Sequence, residues 1–201
     1  LEQTDAPYVT WAYDKSELRL TVIGNGAVKK SSEWASLNIR EVVISDGIFA
    51  IEDGAFAGFG EISRVKLPPT LKVLGARAFD ECLNIAEMDL PDGLRVIGDN
   101  AFRCCEALEA IKIPSALEKI GRGAFMGCEA MVDADLSMAT LMRLEDGLFD
   151  GCIALEEIFI PDTVEVIGEE AFNGCLSLKK IAFAESSILE EIGHCAFYGC
   201  E

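Results

Sequence analysis

The sequence predicts an α/β repeat solenoid, in which short strands and short helical or 3₁₀ turns stack coil upon coil. Three observations predict it. A phenylalanine recurs as Phe56, Phe79, Phe102, Phe125, Phe149, Phe172 and Phe197, at intervals of 23, 23, 23, 24, 23 and 25 residues. Other apolar residues keep fixed offsets from that phenylalanine through the whole series. Finally, no unit of this length can bury its own apolar ring, whereas stacked units cover one another and share a continuous core.

Within a unit the elements follow in order. Nine and eleven residues after the phenylalanine stand apolar pairs such as Val65/Leu67, Met88/Leu90, Ile111/Ile113, Ile158/Ile160 and Ile181/Phe183. This spacing predicts a short strand with one buried face. Pro68, Pro91, Pro114 or Pro161 comes next, and proline ends a strand because it removes a ladder donor and fixes φ. A second apolar pair, as in Leu94/Ile97, Leu117/Ile120 and Val164/Ile167, returns the chain along the opposite side, and Gly98, Gly121 or Gly168 then supplies a tight bend. The Ala-Phe-x-x-Cys segment that closes the unit predicts one helical or 3₁₀ turn with its i/i+3 residues inward.

Read as one pattern, Cys105, Leu108, Ile111, Ile113, Pro114, Leu117, Ile120, Gly121, Ala124 and Phe125 spell C-x-x-L-x-x-I-x-I-P-x-x-L-x-x-I-G-x-x-A-F. The chain thereby resembles the BspA-like leucine-rich repeats. The resemblance implies a right-handed superhelix with a parallel sheet on its concave side. It divides the chain into an N-terminal capping segment, residues 1–38, and about seven repeats of 23–25 residues over 39–201. Trp11-Ala12-Tyr13-Asp14 and Leu18-Arg19-Leu20-Thr21-Val22 are similar to the β-hairpin cap of such proteins, and Gly24-Asn25-Gly26 has the spacing of a hairpin turn. The unit from Cys128 to Phe149 departs from the pattern: Ala134, Ser137 and Leu144-Glu145 replace Ile, Pro and Ile-Gly, with one extra residue before Leu141. Two extra residues precede Leu189, and each irregularity is expected to bulge a turn while strand and phenylalanine stay in register. The array stops at Cys200-Glu201 without a polar C-terminal cap, and the chain opens on Leu1-Glu2-Gln3-Thr4-Asp5 without an initiator methionine or signal-peptide pattern. The C-terminal end is expected to be truncated, or covered by further chain or a partner, and the N-terminal end to be that of a trimmed or mature fragment.

Among chemical candidates the cysteines come first. Cys82, Cys105, Cys128, Cys152, Cys175 and Cys200 occupy one repeat position, which Phe59 takes in the first unit. They predict a buried ladder of free thiols, since neighbours about 4.8 Å apart point the same way rather than at each other. Cys104 and Cys195 lie off the ladder, where a disulfide remains open, as does a strained Cys104-Cys105 redox pair. His194 is the sole histidine. A zinc site would have to use it with Cys195 and Cys200, and a hydrolase would need it at the end of the array. No spacing selects a catalytic carboxylate pair, and no metal, cofactor or enzyme activity is expected.

Binding is expected on the concave sheet. The residues flanking the inward positions are Glu41/Val43, Arg64/Lys66, Glu87/Asp89, Ala110/Lys112, Asp133/Asp135, Glu157/Phe159 and Lys180/Ala182. Their sign alternates along the sheet. Phe159, an outward aromatic between Glu157 and Lys180, is the expected interface anchor. Lysine plus arginine number 17 and aspartate plus glutamate 35, so the net charge is 17 − 35 = −18, which argues against nucleic acid and anionic membrane surfaces. Six acids and four bases on the face leave −2 there, so about −16 lies elsewhere. No apolar run spans a membrane. The expected function is a non-enzymatic scaffold that binds a protein, with a glycan as a second ligand class. Family resemblance implies adhesion at the cell surface, and the alternative is a structural subunit of an intracellular assembly, favoured by free thiols and the lack of N-x-S/T sequons.

Overall fold

The computed structural model describes residues 8–200. The opening Leu1-Glu2-Gln3-Thr4-Asp5 and the final Glu201 lie outside the described residues. Chain entry is a hairpin, Tyr8–Asp14 antiparallel to Arg19–Val28. Its turn falls at residues 15–18, not at Gly24-Asn25-Gly26. Asp14 decides this: its Oδ1 accepts from the Ser16 amide at 2.9 Å and the Ser16 hydroxyl at 2.7 Å, and Leu18 takes a left-handed φ of 50°. The Gly-Asn-Gly segment instead lies within the long second strand. There a Cβ on Gly24 would collide with the Tyr8 carbonyl oxygen.

A 3₁₀ turn, Ser32–Ser36, leads into the strands Glu41–Ile44 and Ile48–Ile51, and from there the chain winds as a solenoid of about eight turns. Arg64–Lys66, Ala110–Lys112, Asp133–Asp135, Glu157–Ile160 and Lys180–Phe183 form one face, and two-residue strands such as Val73–Leu74, Val96–Ile97 and Val166–Ile167 form another. Coil pairs with coil in parallel register, for example Glu41↔Arg64, Asp133↔Ala110 and Glu157↔Lys180. Alternation along each strand places Ile111 or Ile158 in the core and its two neighbours in solvent.

The third side of each coil corrects the α/β expectation. Apart from the Ser32–Ser36 turn, the described residues contain no helix, and the Ala-Phe-x-x-Cys segment is a run of β-turns. The cause is backbone sign. Residues two before and two after each phenylalanine have φ between 54° and 82°: Gly54 and Gly58, Arg77 and Glu81, Asn100 and Cys104, through to Cys195 and Gly199. Such residues interrupt a helix and turn alternate amides out of the coil. In the first unit the amides of Gly54, Phe56 and Gly58 donate to the carbonyls of Ala76, Ala78 and Asp80 in the next coil, while those of Ala55, Ala57 and Phe59 close turns three residues back. Every amide in the segment finds an acceptor without a helix. The glycines after the second apolar pair are corrected too. Gly98, Gly121 and Gly168 do not adopt positive φ; a Cβ there would run into the backbone of the preceding coil, so they are set by close approach rather than by a bend.

The core is a column of aromatic rings. Phe56, Phe79, Phe102, Phe125, Phe149, Phe172 and Phe197 stack with centroids 5.2–5.7 Å apart and planes within 17° of parallel. Trp34 extends the column into the capping segment, 5.3 Å from Phe56, and Trp11 meets it edge-on. Beside the rings runs the cysteine ladder. The thiols of Cys82, Cys105, Cys128, Cys152, Cys175 and Cys200 donate to the carbonyls of Phe56, Phe79, Phe102, Phe125, Phe149 and Phe172 at 3.2–3.3 Å. All eight cysteines are free, Cys104 and Cys195 included. Burial pushes the Cys82 and Cys175 thiols up to about 12 and holds Cys105, Cys128 and Cys152 well above the usual range.

Two expectations follow for stability. Phe125→Ala should cost about 3–5 kcal/mol in denaturant unfolding, because it opens a cavity and unstacks two neighbours. Gly58→Ala, where an added Cβ meets nothing within 4 Å, should cost about 1 kcal/mol from φ alone, while Glu81→Gly at the equivalent position should be neutral or stabilising. The thiols give a third. Their folded pKa lies above the unfolded value, so their contribution is complete below about pH 9 and is lost as pH rises toward 12. Thermal melting should fall across that window, and native thiol labelling at pH 8 should spare Cys82, Cys105, Cys128, Cys152 and Cys175 until the chain unfolds.

Candidate functional site

Every strand of the long face projects two side chains into solvent, and the register sets them in columns. Glu41 stands beside Arg64 and Val43 beside Lys66; Asp133 beside Ala110 and Asp135 beside Lys112; Glu157 beside Lys180 and Phe159 beside Ala182. Between the second and fourth of these rows, Glu87 and Asp89 flank buried Met88 without forming a regular strand. Three shallow open hollows run in series along the face. Arg64, Lys66, Glu87 and Asp89 share the first; Glu87, Asp89, Lys112, Asp133 and Asp135 the second; Asp133, Asp135, Glu157, Phe159 and Lys180 the third. The ten predicted face residues thus lie on one continuous surface.

Its electrostatics are mostly unspent. Lys180 Nζ lies 2.7 Å from Glu157 Oε2, and Glu41 Oε2 takes Arg19 Nε at 2.6 Å and Arg64 Nη2 at 3.7 Å. The Lys180–Glu157 pair is exposed and contributes little to stability, whereas the Arg19–Glu41 pair is partly buried. Among the described residues Lys66, Glu87, Asp89, Lys112 and Asp133 form no ion pair. Asp135 is the oriented acid: its Oδ1 accepts from the Ser137 hydroxyl at 2.6 Å and the Ser137 amide at 2.9 Å. Those bonds, the hydroxyl's foremost, hold its carboxyl below the usual range, with Lys112 helping. Phe159 is 39% exposed amid these charges.

Arg19 and Thr21 also belong to the face, because Arg19–Val22 pairs in parallel with Glu41–Ile44. The repeat pattern misses them since the hairpin lies outside its period; only the alternation Leu18-Arg19-Leu20-Thr21-Val22 signals them. Ser137 was legible only as a missing proline, yet it fixes Asp135.

The remaining chemical candidates are dispersed. Cys195 Sγ lies 3.7 Å from His194 Nε2, both toward solvent, and no group of three His, Cys, Asp or Glu among the described residues could hold a metal ion. On the turn edge, buried Asp80 receives Arg103, whose Nε lies 2.8 Å from Oδ1 and whose Nη2 donates to Oδ2 at 3.1 Å. The Nε contact is close but off the hydrogen-bond direction, so it acts through charge. Cys104 sits beside this pair with its thiol raised by burial. No helix of the described residues is long and apolar enough to cross a membrane.

Comparison with known proteins agrees with this architecture. The family model of the BspA type leucine rich repeat region matches residues 28–153 and 142–201, in six copies. The crystal structure of the T. pallidum leucine rich repeat protein is similar with a TM-score of 0.75 at 26% identity, covering 96% of this chain and 86% of that one. A leucine-rich repeat protein from Bacteroides ovatus gives 0.74 at 24%, over 96% of this chain and 55% of its own. One from Eubacterium ventriosum gives 0.55 at 13%, over 97% and 95%, and so shares the fold alone. No curated protein sequence matches the chain.

Ser137→Ala should raise the Asp135 carboxyl toward the ordinary range, measured by NMR titration. The stability that carboxylate adds is present above its unfolded pKa and is lost as pH falls, so the variant should resist mild acid relatively better than the parent.

Proposed function

This chain belongs to the BspA-type leucine-rich repeat family, and from that premise we propose that it is a non-enzymatic scaffold that binds a protein partner through its long-strand face, as a surface-recognition or adhesion module. One observation carries the reading. Phe159 stands 39% exposed on a charged face, beside the Glu157–Lys180 pair and in one hollow with Asp133 and Asp135. Aromatic and arginine anchors of this kind dominate binding energy at protein interfaces. The backbone supports the same assignment. On both sides amides and carbonyls are consumed coil to coil, so side chains are what a partner could read, and the long face offers sixteen outward positions, Arg19 and Thr21 included. A glycan is the second ligand class such a face would take. The right-handed superhelix and the hairpin's role as a cap belong to this proposal.

A rival reading, a subunit of an intracellular assembly, is favoured by the eight free thiols, since accessible thiols such as Cys195 persist best in a reducing compartment.

A photocrosslinking residue at position 159 and another at Glu106 on the turn edge separate face from edge. Capture of a protein from 159 and not from 106, followed by at least about tenfold weaker binding of the identified partner to Phe159→Ala and to Arg64→Glu, would support the proposal. Unchanged affinity in both variants would overturn it.

A further inference from the structure

The charges of the long face are complementary to themselves. The second outward column reads Val43, Lys66, Asp89, Lys112, Asp135, Phe159, with Thr21 before it and Ala182 after it; ladders set Val43 beside Lys66 and Lys112 beside Asp135, and the shared hollows carry the series through Asp89 and on to Phe159. Reversed, the series meets itself with opposite sign at each charged position and apolar against apolar at its ends. We propose that this face docks a second copy of the chain about a two-fold axis parallel to the strands and lying between the coils of Asp89 and Lys112. The assignment rests on the reading of this face as the interaction surface and names its occupant.

Such an axis reverses coil order and keeps each column facing its own kind. Lys66 then meets the other copy's Asp135, Asp89 meets Lys112, and Val43 meets Phe159, each twice by symmetry. In the first column Arg64 meets Asp133, also twice. The like-charge crossings are Glu41 against Glu157 and Arg19 against Lys180, and all four are paired within their own chain, Glu41 with Arg19 and Arg64, Glu157 with Lys180. Glu87 meets Ala110 without conflict.

Two other two-folds fail on the same charges, and a third, one coil toward the N-terminus, sets Arg64 on Glu87 and Lys66 on Asp89 but leaves Phe159 outside the contact. An axis along the solenoid would face the two members of each row, setting Arg64 on Lys66, Glu87 on Asp89 and Asp133 on Asp135. Shifting the strand-parallel axis one coil toward the C-terminus sets Arg64 on Lys180 and Glu87 on Glu157. The unpaired state of Lys66, Asp89, Lys112 and Asp133 is what this arrangement resolves. Its size sets its strength: about 30 Å of sheet by about 15 Å of side chain is on the order of 450 Å² per copy, against about 800 Å² in a standard interface. Association is therefore in the micromolar range and sensitive to salt, because most of it is charge.

Sedimentation velocity of the purified chain at low salt, at roughly 100 µM, tests this. The expected species is twice the 21.8 kDa monomer, dissociating as salt rises. Lys66→Asp alone and Asp135→Lys alone should each weaken dimerisation at least about tenfold, since each sets like charge on like twice. An equimolar mixture of the two variants should recover the dimer, because both altered crossings are again opposite. Recovery by mixing excludes misfolding as the cause of the loss. A monomeric parent, a dimer indifferent to both variants, or a mixture that stays monomeric overturns the assignment. A monomeric parent that still crosslinks a foreign protein through position 159 overturns the second copy while leaving the reading of the face intact; a parent that does neither overturns both.

Discussion

One aromatic ring per coil, stacked at 5.2–5.7 Å, is the constraint to which the rest of the solenoid conforms. The spacing lies close to the distance between hydrogen-bonded strands, so ring column and backbone ladders demand nearly the same rise and reinforce each other. The planes are near parallel with centroids well beyond face-to-face contact, which makes the stack offset, the arrangement that ring quadrupoles favour. A coil can therefore vary only where it does not disturb the ring. The extra residue before Leu141 and the two before Leu189 lie away from the column, and the rings across them remain 5.6 and 5.2 Å apart.

The same constraint divides labour among the sides. The turn edge satisfies its amides by alternating bonds within the coil with bonds to the next coil, a pattern that requires left-handed residues on both sides of each ring. Six of those positions carry side chains rather than glycine: Arg77, Glu81, Asn100, Cys104, Glu170 and Cys195. The strain there is tolerated because the ladder of neighbours over-determines the backbone. On the long face the backbone is committed to the ladder, and what varies is the pair of side chains each strand presents. The acid excess, lying mostly elsewhere, does not describe that face.

Three places in the chain show why legibility stopped where it did. Trp34 joins the ring column although it precedes the repeats, since what the column requires is a flat apolar ring rather than phenylalanine. Gly98 was legible as a glycine of the pattern, but its reason was not: the clash it avoids is with a coil 23 residues away in sequence. Gly24-Asn25-Gly26 looked like a turn because turn chemistry is local, while Asp14, capping the amide and hydroxyl of Ser16, drew the turn to residues 15–18.

By itself the sequence determined the repeat, its period, the buried ring and thiol positions, and which side chains line the long face. These follow from one-dimensional periodicity, because in a solenoid each coil touches only its neighbours and sequence offset becomes spatial register. Only the tertiary structure decided that the turns are not helical, that the post-strand glycines answer to close approach, and that Arg19 extends the face. It also decided which charges are paired within the chain and which are not. Each of these depends on contacts between coils, and a contact at a distance of 23 residues leaves no trace in local propensity.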